Sequence, residues 1–253
     1  MVNEWISQLE NQCKKLGGKH LHLIIDQSGL KYSVIPVCEV LSIEWQSLFQ
    51  GLPEEIAESE APLLLRIDLD DSQQRQWLDK ICMEDSNHNV LLALCSIWPI
   101  DLLAKWLQNC ADGRHEGRPG ILRFYDPRLL PLLTADLLNE EQKSQIHRPV
   151  VFWSWIDRDG VAQLIEGNGA APLSGEKMSH IDLSDRQLDY LMCVCDVNIM
   201  LNYQQSIIPE HLSQETLFQI CYKAMCEASD KGFIMDEDRE RWVEGKLAEG
   251  IVG

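Results

Sequence analysis

His20-Leu21-His22, with Asp26 four residues on, is the pattern in this chain that comes nearest to metal chemistry. Residues two apart on a strand share a face, so both imidazoles can reach one ion, with the carboxylate as a third ligand. A metallohydrolase using His20, His22 and Asp26 is the enzymatic reading of that pattern. The competing reading is a polar pair on the half-exposed face of a first strand. The remaining histidines, His88, His115, His147, His180 and His211, bring neither a second pair nor a carboxylate cluster. No metal ligand and no cofactor is therefore assigned. Cys193-Val194-Cys195 resembles a chelate but falls in a helical stretch, where residues two apart point about 200° away from each other. Asp68-Leu69-Asp70-Asp71 and Asp236-Glu237-Asp238 lack the spaced oxygens and terminal Glu of a calcium loop. Both read as acidic helix starts.

The run Arg123-Phe124-Tyr125-Asp126-Pro127-Arg128 concentrates charge and aromaticity in six residues. Asp126 before Pro127 is the signature of a helix N-cap with proline at the first helical position. Arg123 or Arg128 can add a charge-assisted contact to its carboxylate. A lone Asp between arginines has neither a nucleophile nor a second acid, so acid–base catalysis is not expected and no catalytic residue is assigned. Phosphate-binding loops of the Gly-x-x-x-x-Gly-Lys or Gly-x-Gly-x-x-Gly kind are missing, as is a Gly-x-Ser-x-Gly elbow.

The elements that would position these residues follow from periodicity. Val2 to Leu16 has helical spacing and stops at Gly17-Gly18. Leu21–Ile25, Leu63–Ile67, Val90–Leu94 and Ile121–Tyr125 read as strands. Ile43–Phe49 reads as a short helix, Asp71 or Ser72 caps a helix to about Cys82, and a further helix follows Ser96 and Pro99. Gly113–Pro119 reads as a polar loop. Pro131 keeps the helix after Asp126 short or irregular. Val151–Ile156 and Val161–Ile165 flank Asp157-Arg158-Asp159-Gly160, a hairpin signal. Trp153 and Trp155 share one face of the first of these strands, with Phe152 and Ile156 on the other, so the strand reads as buried. From Leu183 onward the pattern is helical: Leu183–Gln205, Ser213–Ala228 and Asp236–Ala248. The fold class expected is α/β (α+β): an N-terminal lobe over residues 1–178 with a mixed sheet covered by helices, then a small all-helical lobe over 179–253.

Composition bounds the rest. The chain has 253 residues with a formal charge of −18, from 40 acidic and 22 basic side chains. No basic stripe is present to neutralise phosphates, so nucleic acid is not an expected partner. The acidity serves solubility, or attraction to a basic partner such as a toxin that an immunity protein would neutralise. No stretch approaches the roughly 18 apolar residues of a membrane span. The N-terminus lacks a basic region followed by an apolar segment, so a cytoplasmic location without membrane insertion is expected. Nine cysteines without framework spacing read as reduced thiols, with Cys38, Cys82, Cys95, Cys193, Cys195 and Cys221 buried in apolar runs.

Gly120-Ile121-Leu122 followed by Arg123-Phe124-Tyr125-Asp126-Pro127-Arg128-Leu129-Leu130 resembles the central motif of the DUF4123 family. Leu23-Ile24-Ile25-Asp26 resembles that family's first strand. Ala61-Pro62-Leu63-Leu64 resembles its Ala-Pro-Tyr-Leu element, with Leu63 replacing the aromatic. Ser96 and the helix over Leu102–Leu107 resemble its serine-plus-helix segment. The resemblance runs from about Leu21 to Ile165. It implies a non-catalytic chaperone or adaptor of bacterial type VI secretion. Such a protein binds a cognate toxic effector in the cytoplasm and helps load it onto the VgrG spike, sometimes with a PAAR protein.

Overall fold

The computed structural model describes residues 2–85, 89–203 and 212–251. His88, His211 and Gln205, the expected end of the first C-terminal helix, lie outside them. The chain divides into two compact units, Met1–Asp182 and Leu183–Gly253.

In the first unit, α1 (Val2–Lys15) carries Trp5, Ile6, Leu9 and Cys13 on one buried stripe. It ends where Gly17 takes φ +72° and the Gly18 N–H returns to the Cys13 carbonyl at 2.9 Å. There follow β1 (His20–Asp26), α2 (Ile35–Val40), β2 (Glu44–Ser47), β3 (Pro62–Asp68), α3 (Ser72–Glu84), β4 (Leu91–Cys95) and α4 (Ile100–Ala111). A small hairpin, β5 (Asp112–His115) and β6 (Arg118–Ile121), leads into α5 (Leu130–Leu132) and α6 (Glu140–His147). The unit closes with β7 (Phe152–Ile156), β8 (Ala162–Glu166) and β9 (Ile181–Leu183).

Six of these strands form one sheet in the order β2-β3-β1-β4-β7-β8, and each neighbouring pair is antiparallel. Register assigns the faces. Leu21, Leu23 and Ile25 line up with Ile67, Leu65 and Leu63 on one side and, for the last two, Ala93 and Leu91 on the other. This face packs with Trp5, Ile6 and Leu9 of α1 and with Leu78, Ile81 and Cys82 of α3 in one core. The other face carries His20, His22, Ile24 and Asp26, with Leu94 and Trp153 in the same row as His22. It is buried too, and Phe124 packs edge-on to Trp153 with ring centroids 6.1 Å apart. The fold is therefore α+β, with apolar strands on both faces as their continuous hydrophobic runs require.

Three local expectations are corrected. Ile43–Phe49 is not a helix: Glu44–Ser47 pairs with β3, Trp45 opposite Leu65, and the tertiary partner overrides local spacing. Gly113–Pro119 is not a loop but most of the β5–β6 hairpin, turned by Glu116 and Gly117 at φ +50° and +75°. Ile121–Tyr125 is not a strand. Only Ile121 belongs to β6, and beyond it Phe124 and Tyr125 are both buried, which an alternating strand on a sheet surface would not allow.

The second unit is all-helical: α7 (Asp185–Tyr203), α8 (Gln214–Asp230) and α9 (Asp236–Ile251). The Ser213 hydroxyl caps α8 by accepting from the Thr216 N–H at 3.2 Å. Cys193 is buried on α7 while Cys195 is exposed, as the 200° separation dictates. The expected burial of Cys195 is thus corrected. All nine cysteines are free. No described helix is long and apolar enough to cross a membrane.

Candidate functional site: the Arg123–Arg128 junction

Asp26 ends the central strand β1 with its side chain almost fully buried. Its carboxylate accepts from the Ser28 N–H at 3.1 Å and the Ser28 hydroxyl at 2.7 Å, and so caps the short turn that follows. The same carboxylate forms an ion pair with Arg123, whose guanidinium is about half exposed and lies 5.9 Å from the Tyr125 ring. A residue from the middle of the chain thereby locks the end of the first strand, across 97 positions of sequence.

The rest of the motif is built inward from that pair. Phe124 is fully buried and meets Tyr125 edge-on at 5.7 Å as well as Trp153. Burial, followed by the charge of Asp26, pushes the Tyr125 phenol above its ordinary range, so it stays a neutral hydroxyl. Asp126 accepts from the Arg128 backbone N–H at 2.9 Å, from its Nε at 3.0 Å and from its Nη2 at 2.7 Å. This fork holds the Arg128 guanidinium firmly protonated, the Asp126 bond first and the fields of Asp26 and Asp85 further down its causes. The expectation that Asp126 caps a helix at Pro127 is refined: it caps a turn, and its carbonyl accepts from Leu129 and Leu130 before α5 begins. Pro131 leaves α5 three residues long, continued by a single π-helical turn over Leu133–Leu137.

Neighbouring segments brace the junction. The buried Gln27 side chain donates to the carbonyls of Glu58 and Ala61 at 3.1 and 3.0 Å, and accepts from Ser33 and from the Val34 N–H. Asp85 accepts from the Asn89 and Val90 N–H groups, and the Val90 carbonyl receives the Asp26 N–H at 2.9 Å. Gly29 lies so close that a Cβ there would sit 2.3 Å from a Val90 methyl carbon. Gln27, Gly29 and Asp85 escaped the sequence reading. The close approach of Gly29 to Val90 and the long-range carbonyl partners of Gln27 are features that no spacing reveals.

The three residues of the metal pattern do not converge. His20 Nε2 is engaged by Arg66 at 2.9 Å, and Asp26 by Arg123 and Ser28. His22 is buried with both ring nitrogens lacking a hydrogen-bond partner. Burial, then the charges of Arg66 and His20, lowers its pKa to about 3. Among the described residues no three His, Cys, Asp or Glu side chains are placed to hold a metal ion. Ala61 and Pro62 do meet the junction, Pro62 standing opposite Asp26 in the β1–β3 register. Ser96 does not: it sits past the other end of β4, donating to the Pro149 carbonyl at 2.6 Å.

Residues 21–145 match the DUF4123 family model. The family is described as a domain of unknown function, and the match supports the resemblance carried by the motif. The DUF4123 stretch encloses Asp26, Ala61-Pro62 and the whole Arg123–Arg128 run. It stops within α6, about twenty residues short of Ile165 where the resemblance was expected to end, so β7 and β8 lie outside it. No curated protein matches the chain, and no solved structure does.

Within the junction each carboxylate is already engaged by an arginine, and what faces outward is part of the Arg123 and Arg128 guanidinium groups. Removing Asp126 tests how much the fork matters. Asp126→Ala takes away a turn cap and leaves a partly buried guanidinium without its anion, an expected loss of about 2 kcal/mol in urea unfolding. Asp126→Asn, which keeps the acceptor for the backbone N–H, is expected to lose less. Equal losses for the two would mean the retained backbone cap contributes nothing, and an Asp126→Asn variant as stable as the parent would mean the charge of the arginine fork contributes nothing.

Proposed function

We propose that this protein is a non-catalytic chaperone or adaptor that binds a cognate type VI secretion effector, stabilises it and promotes its loading onto the VgrG spike. The observation that carries this reading is the motif itself. It lies within the stretch that matches DUF4123, and its charges are engaged, Arg123 by Asp26 of β1 and Arg128 by Asp126, rather than left available for acid–base chemistry. The effector and VgrG roles rest on the family resemblance. In this reading the Arg123–Arg128 run holds the first unit together, and cargo is gripped elsewhere. The metallohydrolase reading of His20, His22 and Asp26 is the less favoured one, since His20 and Asp26 are each engaged by an arginine and no three ligating side chains converge among the described residues.

The test is co-expression with a candidate type VI effector. The effector's soluble yield is expected to rise several-fold, with the two proteins co-eluting by size exclusion and retaining VgrG in a pull-down. Unchanged yield without co-elution would sink the proposal. Protection of a toxin-expressing cell without any VgrG contact would replace it with an immunity role. A folded Asp126→Ala variant of undiminished stability that no longer binds effector would make the motif the contact site.

A further inference from the structure

The six-stranded sheet has two edge strands, β2 and β8, and they are finished differently. At β2 the Leu48 N–H donates to the Pro62 carbonyl at 2.9 Å, which fixes the alternation and turns the Ser47 backbone outward. That outward Ser47 carbonyl is taken by the Gln108 side chain of α4 at 2.9 Å, and Gln46 donates to Asp101 of the same helix at 3.0 Å. At β8 the Asp157 N–H donates to the Val161 carbonyl and the Gly167 N–H to the Val151 carbonyl, both at 2.9 Å. Residues 161, 163, 165 and 167 therefore turn their backbone groups towards β7, while Ala162, Leu164 and Glu166 turn theirs outward. Among the described residues none hydrogen-bonds to the outward N–H and C=O groups of those three. The strand pairs with β7 without a bulge and contains neither Pro nor Lys, the usual guards of an edge.

This edge is also held in place at both ends. Before β8 the Asp157 carboxylate accepts from the Val161 N–H at 2.9 Å and from the Gln163 side chain at 2.7 Å. After it the Asn168 and Gly169 N–H groups donate to the His147 and Val150 carbonyls at 2.9 and 2.8 Å. A strand so fixed loses little freedom when another pairs with it.

We propose that β8 is a docking edge, which an extended segment of a partner protein joins as a seventh strand. The backbone sets the form of the occupant, because outward groups on alternate residues match the ladder of another strand. The side chains set its composition. Val161 and Leu164 are 53% and 44% exposed and lie on opposite faces of the ribbon, so the segment carries apolar residues on both of its faces. Glu166 shares the Leu164 face, is exposed and has no cation beside it among the described residues. A Lys or Arg two positions from an apolar residue complements that pair. Charge also argues against a second copy as the occupant, since β8 pairing with itself would bring together two chains of −18. That the partner is an effector rests on the function proposed above; the edge does not.

The experiment pans phage-displayed random peptides of about ten residues, enough to span the strand, on the full-length chain. Enriched peptides are expected to carry Lys or Arg two positions from an apolar residue. They are expected to bind Leu164→Pro at least about tenfold more weakly than the parent. The Leu164 N–H points away from β7, so proline there removes an outward donor and leaves the sheet paired. Should that variant fail to fold by circular dichroism, Leu164→Lys keeps the backbone, sets a charged guard on the edge and is expected to give the same loss. In the complex, exchange of the Ala162, Leu164 and Glu166 amides is expected to slow at least about tenfold. The proposal is overturned if no peptide is enriched, or if the enriched peptides bind the folded Leu164 variant as tightly as the parent. A free chain that is a dimer, dissociated by Leu164→Pro, overturns it by giving the edge to a second copy. A candidate effector that binds Leu164→Pro undiminished and leaves the three amides unprotected overturns the docking edge while the chaperone reading stands. Edge-specific peptides with no effector binding uphold the docking edge and count against the chaperone reading.

Discussion

Replacing Phe124 by alanine is expected to cost about 3–5 kcal/mol of stability, the range for emptying a buried aromatic site. Phe124 has no exposed surface and touches Tyr125 on its own segment and Trp153 on β7. The two edge-on contacts each add to simple burial, and collapse of the site is restrained by the ion pair of Arg123 on one side and the Arg128 fork on the other. Against the 5–15 kcal/mol that holds an ordinary domain together, the loss is roughly a fifth or more. Phe124→Leu, which refills most of the volume, is expected to lose about 1.5 kcal/mol or less. Urea unfolding followed by tryptophan fluorescence measures both. A cost below about 1 kcal/mol for the alanine variant would mean that Phe124 is not what seats the motif on the sheet. The prediction also guards the reading of binding data: weakened partner binding by Phe124→Ala reports unfolding before it reports contact.

The second large effect is on acid stability, and its sign follows from His22. In the unfolded chain this histidine titrates near 6.5, while in the fold its pKa falls to about 3, chiefly through burial and then through Arg66 and His20. Above pH 6.5 neither state holds the extra proton and the full stability is present. Below it the unfolded chain takes up a proton that the folded chain refuses. Stability therefore falls by about 1.4 kcal/mol per pH unit until about pH 3. His22→Leu removes both the titration and two buried nitrogens without partners. It is expected to be at least as stable as the parent at pH 7.5. By pH 4.5 the gap in its favour should have widened by about 2.7 kcal/mol. Parallel urea-midpoint curves for the two proteins between pH 7.5 and 4.5 would refute this account.

How far sequence reached depends on the range of the interaction. The metal pattern correctly placed His20, His22 and Asp26 on one strand face, because a period of two is a local property. It could not place Arg66 or Arg123 against them, since those partners arrive from β3 and from the motif 97 positions away. Arg128 was within two residues of Asp126, and that pairing was open to inspection. The β5–β6 hairpin was missed for a different reason. Its strands, Asp112–His115 and Arg118–Ile121, are polar and short, so alternation gave no signal. The Glu116-Gly117 turn, both residues at positive φ, is the feature that would have revealed it. Trp153 and Trp155 read as buried from their own strand alone, and are.

The strand order has a consequence for how the molecule comes into being. β4 needs β7 on its far edge, and Phe124 needs Trp153, yet both partners are synthesised after residue 150. A nascent chain that has released only the residues up to the end of the family-model match would hold an incomplete sheet, its Ala93–Cys95 edge unpaired and its aromatic seat open. The matched stretch is thus expected not to fold by itself. Completion waits on the residues that follow it, and a ribosome paused before Phe152 would carry an aggregation-prone intermediate.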